Sequence, residues 1–233
     1  MIFGFFSYDW TILLIIPGLI ISVYAQIKVQ STFNKYSKMR TAKGMTGYLA
    51  ARKILDENGL FYINIEQVRG HLSDHYDPRA NVIRLSDSVY HSSSPAAIGV
   101  AAHEAGHALQ YANAYSPIKL RAALVKVTGF GSMMAIPLFF IGLLAAYEPL
   151  MLAGIILYAT IAFFQLVTLP VEFNASSRAL RFLRESQMLD QEELYASKEV
   201  LSAAAMTYVA ALLTSLLTLL RLILLFGGRS KRN

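Results

Sequence analysis

Long uncharged stretches alternate with polar segments along this chain. Four of them reach the length of roughly 17 to 25 residues that an α-helix needs to cross about 30 Å of hydrocarbon. Buried helices of soluble proteins seldom extend that far without a charge, so we interpret the runs as membrane spans. They cover residues 10–27, 127–147, 149–171 and 200–220.

The first run lies close to the N-terminus and has to be distinguished from a secretory signal. Residues 1–9 contain no Lys or Arg, and no Ala-x-Ala cleavage site follows the run. We therefore assign residues 1–29 to an N-terminal membrane anchor helix. Only Glu148 separates the second run from the third, which predicts a transmembrane hairpin over 122–171 with both ends on one side of the membrane.

The polar segment over 30–121 is long enough to fold as a small domain, and its pattern mixes helix and strand. Apolar residues at helical spacing predict a helix over 46–58. Alternation of apolar and polar residues predicts one strand over 63–68 and a second over 81–86. We expect the chemistry of the protein to lie in this domain.

Ser94 and Pro95 predict the start of a further helix, because the Ser side chain can cap free amides and Pro fits the first turn. This helix would continue to about Tyr111. After the hairpin, residues 172–199 form a helical return, and residues 200–233 combine a last membrane helix with a basic tail. The sequence thus predicts a mainly α, polytopic membrane protein with about four transmembrane helices and a small β component.

The net charge of +6 reflects basic residues that lie beside the apolar runs. Lys and Arg next to a span resist translocation, so these residues predict that the polar segments face the cytoplasm. Basic and aromatic residues do not interleave, and nucleic acid is not expected as a partner. The chain contains no Cys, which excludes disulfides and thiolate metal ligands. The flanking residues are Lys28, Lys35, Lys38, Arg40 and Lys43 after the first run, and Arg178, Arg181 and Arg184 after the third.

The C-terminal tail gives a conflicting topological signal. Arg229, Lys231 and Arg232 favour a cytoplasmic C-terminus. A chain that has its N-terminus outside the cell and crosses the membrane four times, however, also has its C-terminus outside. The last run carries Arg221 near its end, and the sequence leaves open whether it is tilted, re-entrant or packed against the domain.

The chemistry is indicated by the motif His103-Glu104-Ala105-Gly106-His107. Residues four apart share one helix face, so both imidazoles can be directed at a single ion. Zinc hydrolases use three protein ligands and leave the fourth position to a water whose pKa falls to about 7. Glu104 is the expected general base for that water. Gly106 costs about 1 kcal/mol relative to Ala in a helix, which suggests that a second helix comes close to it.

A third zinc ligand has to be a carboxylate or an imidazole elsewhere in the chain. Glu172 follows the third apolar run directly, where the predicted hairpin returns the chain to the side of the motif. An acidic residue at the end of a long uncharged run is costly unless it binds a cation. We therefore predict that Zn²⁺ is bound by His103, His107 and Glu172. The alternatives for the third ligand are His71, His75 and His91.

With these motifs, the sequence resembles the YugP-like family of bacterial membrane neutral zinc metallopeptidases along nearly its whole length. The resemblance implies a gluzincin-like catalytic unit, Zn²⁺ as cofactor, and a protein or peptide substrate associated with the lipid bilayer. Together with the basic flanks, it predicts a location in the bacterial cytoplasmic membrane, with the active site on the cytoplasmic side. The similar stretches are residues 75–79, 82–86, 96–110 and 170–178.

The layout is more distantly similar to the HtpX-type and CAAX prenyl protease group, in which the third ligand opens a Glu-aromatic-x-Ala-Asp segment. From Glu172 onward, this chain reads Glu-Phe-Asn-Ala-Ser. The agreement supports Glu172 as a ligand, but Ser176 stands where an Asp would orient a zinc-bound histidine. Asn174 or Ser177 could take that role instead, and Ser176 itself is a further candidate.

The resemblance also bears on substrate binding. It implies that the strand over 81–85 is the edge along which an extended peptide lies. Neither the residues nor the resemblance identifies the groups that stabilise the transition state. His75, Tyr76 and Arg178 are the candidates, and a structural role is the simpler interpretation of each.

Other interpretations compete with a peptidase. The motif could lie on a surface helix, with two solvated histidines and no metal. The motif followed by Ala-Leu also occurs in membrane-anchored ATP-dependent zinc proteases, but this sequence has no phosphate-binding loop. A noncatalytic membrane scaffold could keep a zinc site without its chemistry. The intact Glu104 favours a zinc metalloendopeptidase.

Overall fold

The computed structural model describes residues 10–70 and 73–230. Most of these residues are helical, and three short strands form one sheet. The elements are a 3₁₀ turn at Trp10–Leu14, then α1 (Ile15–Tyr36), α2 (Gly47–Glu57), β1 (Asn64–Val68), β2 (His75–Asp77), β3 (Val82–Ser86), α3 (Asp87–Tyr90), α4 (Pro95–Ala112), α5 (Ser116–Leu144), α6 (Glu148–Glu185) and α7 (Gln191–Ser230).

Four helices are long and apolar enough to cross a membrane, which together with the small sheet confirms the predicted fold class. They extend well beyond the uncharged runs that revealed them. The run over 149–171 is only the first part of α6, which continues through Pro170 as far as Glu185. Glu172 therefore lies inside a helix, because loss of apolar character does not end a helix. The four stretches are Trp10–Tyr36, Ser116–Leu144, Glu148–Glu185 and Gln191–Gly228.

The chain forms two compact units. The membrane unit contains the described residues up to Ala25, Leu120–Leu169 and the described residues from Thr207 onward. The sheet-containing unit comprises Gln26–Lys119 and Pro170–Met206, and thus also the motif helix and Glu172. Each unit has a hydrophobic core of its own.

In the membrane unit, α5 and α6 form the predicted hairpin. A Cβ atom at Gly142 would lie 2.7 Å from the backbone N of Met151, and one at Gly154 would lie 2.7 Å from that of Phe139. Such contacts between small residues and a neighbouring backbone are typical of packed membrane helices. The two helices thus form a tight hairpin, and its passage through a membrane stays a prediction.

In the sheet-containing unit, the predicted helices over 46–58 and from Ser94 onward are confirmed. α2 begins after Thr46, whose hydroxyl accepts a hydrogen bond from the backbone N of Leu49 at 3.3 Å. α4 begins at Pro95, and the Ser94 hydroxyl accepts from the backbone N of Ala97 at 3.2 Å. The Ser94 cap was predicted, because a capping residue lies next to its helix in sequence, whereas the Thr46 cap was not.

The sheet corrects one prediction. Its strand order is β1-β3-β2, with β1 parallel and β2 antiparallel to β3. β3 is thus paired on both sides, and the expectation that it forms the edge for a peptide is wrong. β3 is almost entirely buried, as a central strand is. The three-residue strand β2 was not predicted, because so short a segment shows no alternation.

Candidate metal centre

The motif helix α4 presents both imidazoles on one face. The ring centroids of His103 and His107 lie 4.7 Å apart, and the two rings are almost perpendicular. The Glu104 side chain follows on the same turn and is only 8% exposed. In the described part of the chain, no hydrogen bond engages the Glu104 carboxylate. Its oxygens are therefore available to a water molecule or a substrate.

The third component comes from α6. Glu172 Oε2 lies 3.2 Å from His103 Nε2 and 3.5 Å from His107 Nε2. The Glu172 side chain is 2% exposed, and so deeply buried a carboxylate requires a compensating positive charge. The three residues offer metal-ligating atoms that all lie within 4.8 Å of one another. The structure thus brings together the three residues that the sequence predicted as ligands.

Gly106 allows α6 to come this close. A Cβ atom at Gly106 would lie 2.7 Å from the backbone O of Ala175, three residues after Glu172. Backbone atoms cannot move aside as a flexible side chain can. The close approach of a second helix, which the cost of this glycine suggested, is confirmed.

The residues fit a zinc ion. Zinc–ligand bonds of about 2.0–2.2 Å in a tetrahedral site place the ligand atoms roughly 3.3–3.6 Å apart. The distance from Glu172 Oε2 to His107 Nε2, 3.5 Å, lies within this range, and that to His103 Nε2, 3.2 Å, is about 0.1 Å shorter. Two imidazoles and one carboxylate are also a ligand set that catalytic zinc sites use, with the fourth position left open.

The other nitrogen of each imidazole is held by a neutral side chain. His103 Nδ1 lies 3.0 Å from the Ser176 hydroxyl on α6. His107 Nδ1 lies 2.9 Å from Gln110 Oε1 on α4 itself. Because both Nδ1 atoms are engaged in this way, both Nε2 atoms face Glu172. Such contacts orient metal-binding histidines and fix their tautomer.

Of the three residues predicted as candidates for orienting a histidine, Ser176 contacts His103, while Ser177 is exposed. Asn174 accepts hydrogen bonds from Gln110 and Arg178. Sequence reasoning missed Gln110, although it was detectable as a polar residue three positions after His107 in a helix rich in Ala.

The candidates for transition-state stabilisation have other contacts in the structure. His75 is exposed, and its Nδ1 lies 2.9 Å from the backbone O of Ser73. The Tyr76 ring packs edge-on against Tyr111 at 5.7 Å, and burial raises the pKa of Tyr76 to about 12. A tyrosine with so high a pKa stays protonated at neutral pH and can donate a hydrogen bond. Arg178 lies over the Tyr115 ring at 6.0 Å.

Two of the three alternatives for the third ligand, His75 and His91, are not part of the cluster. His91 Nε2 lies 3.2 Å from Gln67 Oε1, and His75 Nε2 lies 3.5 Å from Arg84 Nη1. His71 lies outside the described residues.

Electrostatic interactions at the centre favour a cation. Burial acts to lower the pKa of His107, but the hydrogen bond to Glu172 and the nearby carboxylates of Glu104 and Glu172 raise it overall. Burial also raises the pKa of Asp74, against the hydrogen bonds that its carboxylate accepts from Ser86, and the charge of Glu104 adds to the increase. A metal ion would compete with protons for the same negative charge.

Comparison with known proteins agrees with this geometry. The profile of a family described as "Putative neutral zinc metallopeptidase" matches residues 11–227. A protein of Bacillus subtilis (strain 168) described as "Putative membrane protease YugP" is 49% identical over 221 residues, which are 94% of this chain and 98% of that protein. No solved structure shows a significant match. Both matched regions are long enough to include α4 and α6.

Proposed function

Because the chain belongs to the neutral zinc metallopeptidase family, we propose that it is an integral membrane zinc metalloendopeptidase that uses Glu104 as its general base. The observation that carries the proposal is the cluster of His103, His107 and Glu172, whose ligating atoms lie within 4.8 Å. This is the ligand set of gluzincins, with two histidines one helical turn apart and a glutamate from a later helix.

The division of roles among the residues follows from their contacts. His103, His107 and Glu172 would hold Zn²⁺, which lowers the pKa of a bound water to about 7 and polarises the scissile carbonyl. Glu104 accepts the proton of the attacking water and passes it to the amide nitrogen that leaves. The absence of a hydrogen bond to its carboxylate from the described residues is consistent with that role.

The sheet suggests where an extended substrate would lie. β3 is paired on both sides, so an added strand has to use β1 or β2. Of these two strands, β2 packs against the motif helix, through Tyr76 and Tyr111. We therefore propose the free side of β2 as the edge that pairs with a protein or peptide substrate, in place of the edge expected from the sequence.

Location and substrate class remain part of the proposal. The basic residues that flank the first and third runs support a multi-pass protein of the bacterial cytoplasmic membrane, with its active site on the cytoplasmic side. The relative described as a membrane protease supports a substrate at or in the membrane. The conflicting signal from the C-terminal tail includes residues 231–233, which lie outside the described residues.

The proposal is tested with the full chain, purified in detergent and loaded with Zn²⁺, on fluorescently labelled casein. Glu104→Gln keeps the shape of the side chain but removes the base, and the rate should fall about 10²–10⁴-fold while the zinc content stays unchanged. Glu192→Gln, at an exposed position in α7, is the matched control and should retain full activity.

A noncatalytic scaffold that keeps the zinc site gives a different result. It would bind zinc in the wild type and in both variants, with no hydrolysis by any of the three proteins. Full activity in Glu104→Gln would show that the assigned base is wrong.

A further inference from the structure

Gln110 connects the two helices that carry the proposed ligands. It lies on α4, one turn after His107, and is 0% exposed. Its Oε1 lies 2.9 Å from His107 Nδ1. Its Nε2 donates to the backbone O of Val171 at 2.7 Å and to Asn174 Oδ1 at 3.0 Å. Val171 immediately precedes Glu172, so one buried amide contacts one ligand and the backbone beside another.

The direction of these hydrogen bonds is determined by one neighbouring group that can only donate and another that can only accept. The guanidinium of Arg178 can only donate, and its Nε lies 2.8 Å from Asn174 Oδ1, so Asn174 has to present its oxygen there. A backbone carbonyl such as that of Val171 can only accept. Both acceptors therefore face the NH₂ group of Gln110, and its oxygen is left to face His107.

This order of donors and acceptors determines the tautomer of His107. Because Gln110 presents an oxygen, the proton of the neutral imidazole has to be on Nδ1. The lone pair is then on Nε2, the nitrogen that lies 3.5 Å from Glu172 Oε2. That is the tautomer required for binding a metal between His107 and Glu172.

We propose that Gln110 is a positioning residue that selects the metal-binding tautomer and ring orientation of His107, and that Asn174 and Arg178 hold its amide in the required direction. The inference rests on the proposed function only in requiring a metal at His103, His107 and Glu172. A carboxylate in place of the amide would face two acceptors, the Val171 carbonyl and Asn174 Oδ1. The contacts therefore explain why an amide occupies this position.

The test measures zinc affinity by competition with a chelator, using the full chain in detergent. Gln110→Leu keeps the volume but loses all three hydrogen bonds, and the affinity for Zn²⁺ should fall about 10–100-fold. The absorption bands of the Co²⁺-substituted protein should also change, because one imidazole is no longer held. Gln67→Leu, at an exposed position on β1, is the control and should leave both measurements unchanged.

Asn174 provides variants that separate positioning from packing. Asn174→Asp keeps an acceptor for Gln110 and Arg178, so its zinc affinity and Co²⁺ spectrum should match those of the wild type. Asn174→Leu removes that acceptor while the Val171 carbonyl still orients Gln110, and it should cause a smaller loss than Gln110→Leu. These two variants carry the test if Gln110→Leu does not fold.

Thermal unfolding of the metal-free proteins identifies a purely structural role. If Gln110→Leu or Asn174→Leu lowers only the unfolding temperature and leaves zinc affinity and the Co²⁺ spectrum as in the wild type, the positioning role is overturned and the proposed function stands. A wild-type protein that binds no zinc would instead overturn the proposed function, and this inference with it.

Discussion

The two helices that form the metal centre contribute to it in different ways. α4 supplies two imidazoles on one helix face, and Glu104 from the same five consecutive residues. α6 supplies Glu172, together with the Ser176 hydroxyl that contacts His103. The first set is determined by local helix geometry. The second reaches the site only because the chain folds α6 against α4.

The difference between the helices also extends to how the two imidazoles are held. His107 is oriented by Gln110 from its own helix, and that amide has two further partners on α6. Among the described residues, Ser176 is the partner of His103 Nδ1, across the contact between the helices. We conclude that α4 determines which chemistry is available, and that α6 determines whether the ligands meet in the correct geometry. The following predictions test that conclusion.

The largest effect is expected from removing the ligand that α6 contributes. Glu172→Ala leaves two imidazoles as ligands. Zinc binding should therefore weaken by more than the roughly 10–100-fold that is typical when a residue hydrogen-bonded to a ligand is replaced. Metal content per protein, measured by mass spectrometry after dialysis, should fall from near one zinc per chain to almost none. His103→Ala should give the same result from the α4 side.

Glu185→Ala is the matched control, since it removes an exposed carboxylate from the same helix. Its zinc content should equal that of the wild type. Unchanged zinc in Glu172→Ala would direct attention back to the histidines that precede the motif, His71, His75 and His91.

The same division between local and distant contributions explains what the sequence could predict. The cap of α4 and the spacing of His103 and His107 depend on neighbouring residues, and both were found from pattern alone. The approach of a second helix to Gly106 was also predicted, because a glycine in a helix interior carries a cost that needs a reason. Glu172 was selected because the apolar runs predicted a hairpin between it and the motif.

Features that depend on pairing between distant segments were not predictable. The central position of β3 is determined by which strands lie beside it, and a single strand's pattern does not contain that information. The role of Gln110 depends on Val171 and Asn174, which belong to another helix. The continuation of α6 past Pro170 was missed because hydropathy reports apolar character and not the end of a helix.

The second prediction tests the contact between the helices without changing any ligand. In Gly106→Ala, the added Cβ would lie 2.7 Å from the Ala175 backbone O. Overpacking of this kind costs about 1–3 kcal/mol, which should exceed the gain of about 1 kcal/mol from better helix propensity. Denaturant unfolding should show a less stable protein, and chelator competition should show weaker zinc binding, since α6 is displaced.

Gly129→Ala serves as the control for helix propensity. Gly129 lies inside α5, and among the described residues no atom lies within 4 Å of the Cβ that the substitution would add. This variant should be as stable as the wild type or slightly more stable. A Gly106→Ala protein with unchanged stability and zinc affinity would show that the α4–α6 distance does not limit the site.

The smallest effect is expected from the hydroxyl that orients His103. Ser176→Ala removes the hydroxyl that lies 3.0 Å from His103 Nδ1. Zinc affinity should fall by about tenfold, at the lower end of the range for residues that hydrogen-bond a metal ligand. The loss should be smaller than that in Gln110→Leu, because Ser176 makes a single contact to the site and Gln110 makes three. Ser177→Ala, which removes the neighbouring exposed hydroxyl, is the control and should have no effect.

Ser176→Asp sharpens the comparison between the two imidazoles. A carboxylate at this position can accept the Nδ1 proton of His103 at least as well as the hydroxyl, so zinc affinity should equal or exceed that of the wild type. If Ser176→Ala instead weakened zinc binding as much as Gln110→Leu, the two imidazoles would depend equally on their neutral partners. The number of hydrogen bonds that Gln110 or Ser176 makes would then not determine how strongly that residue supports zinc binding.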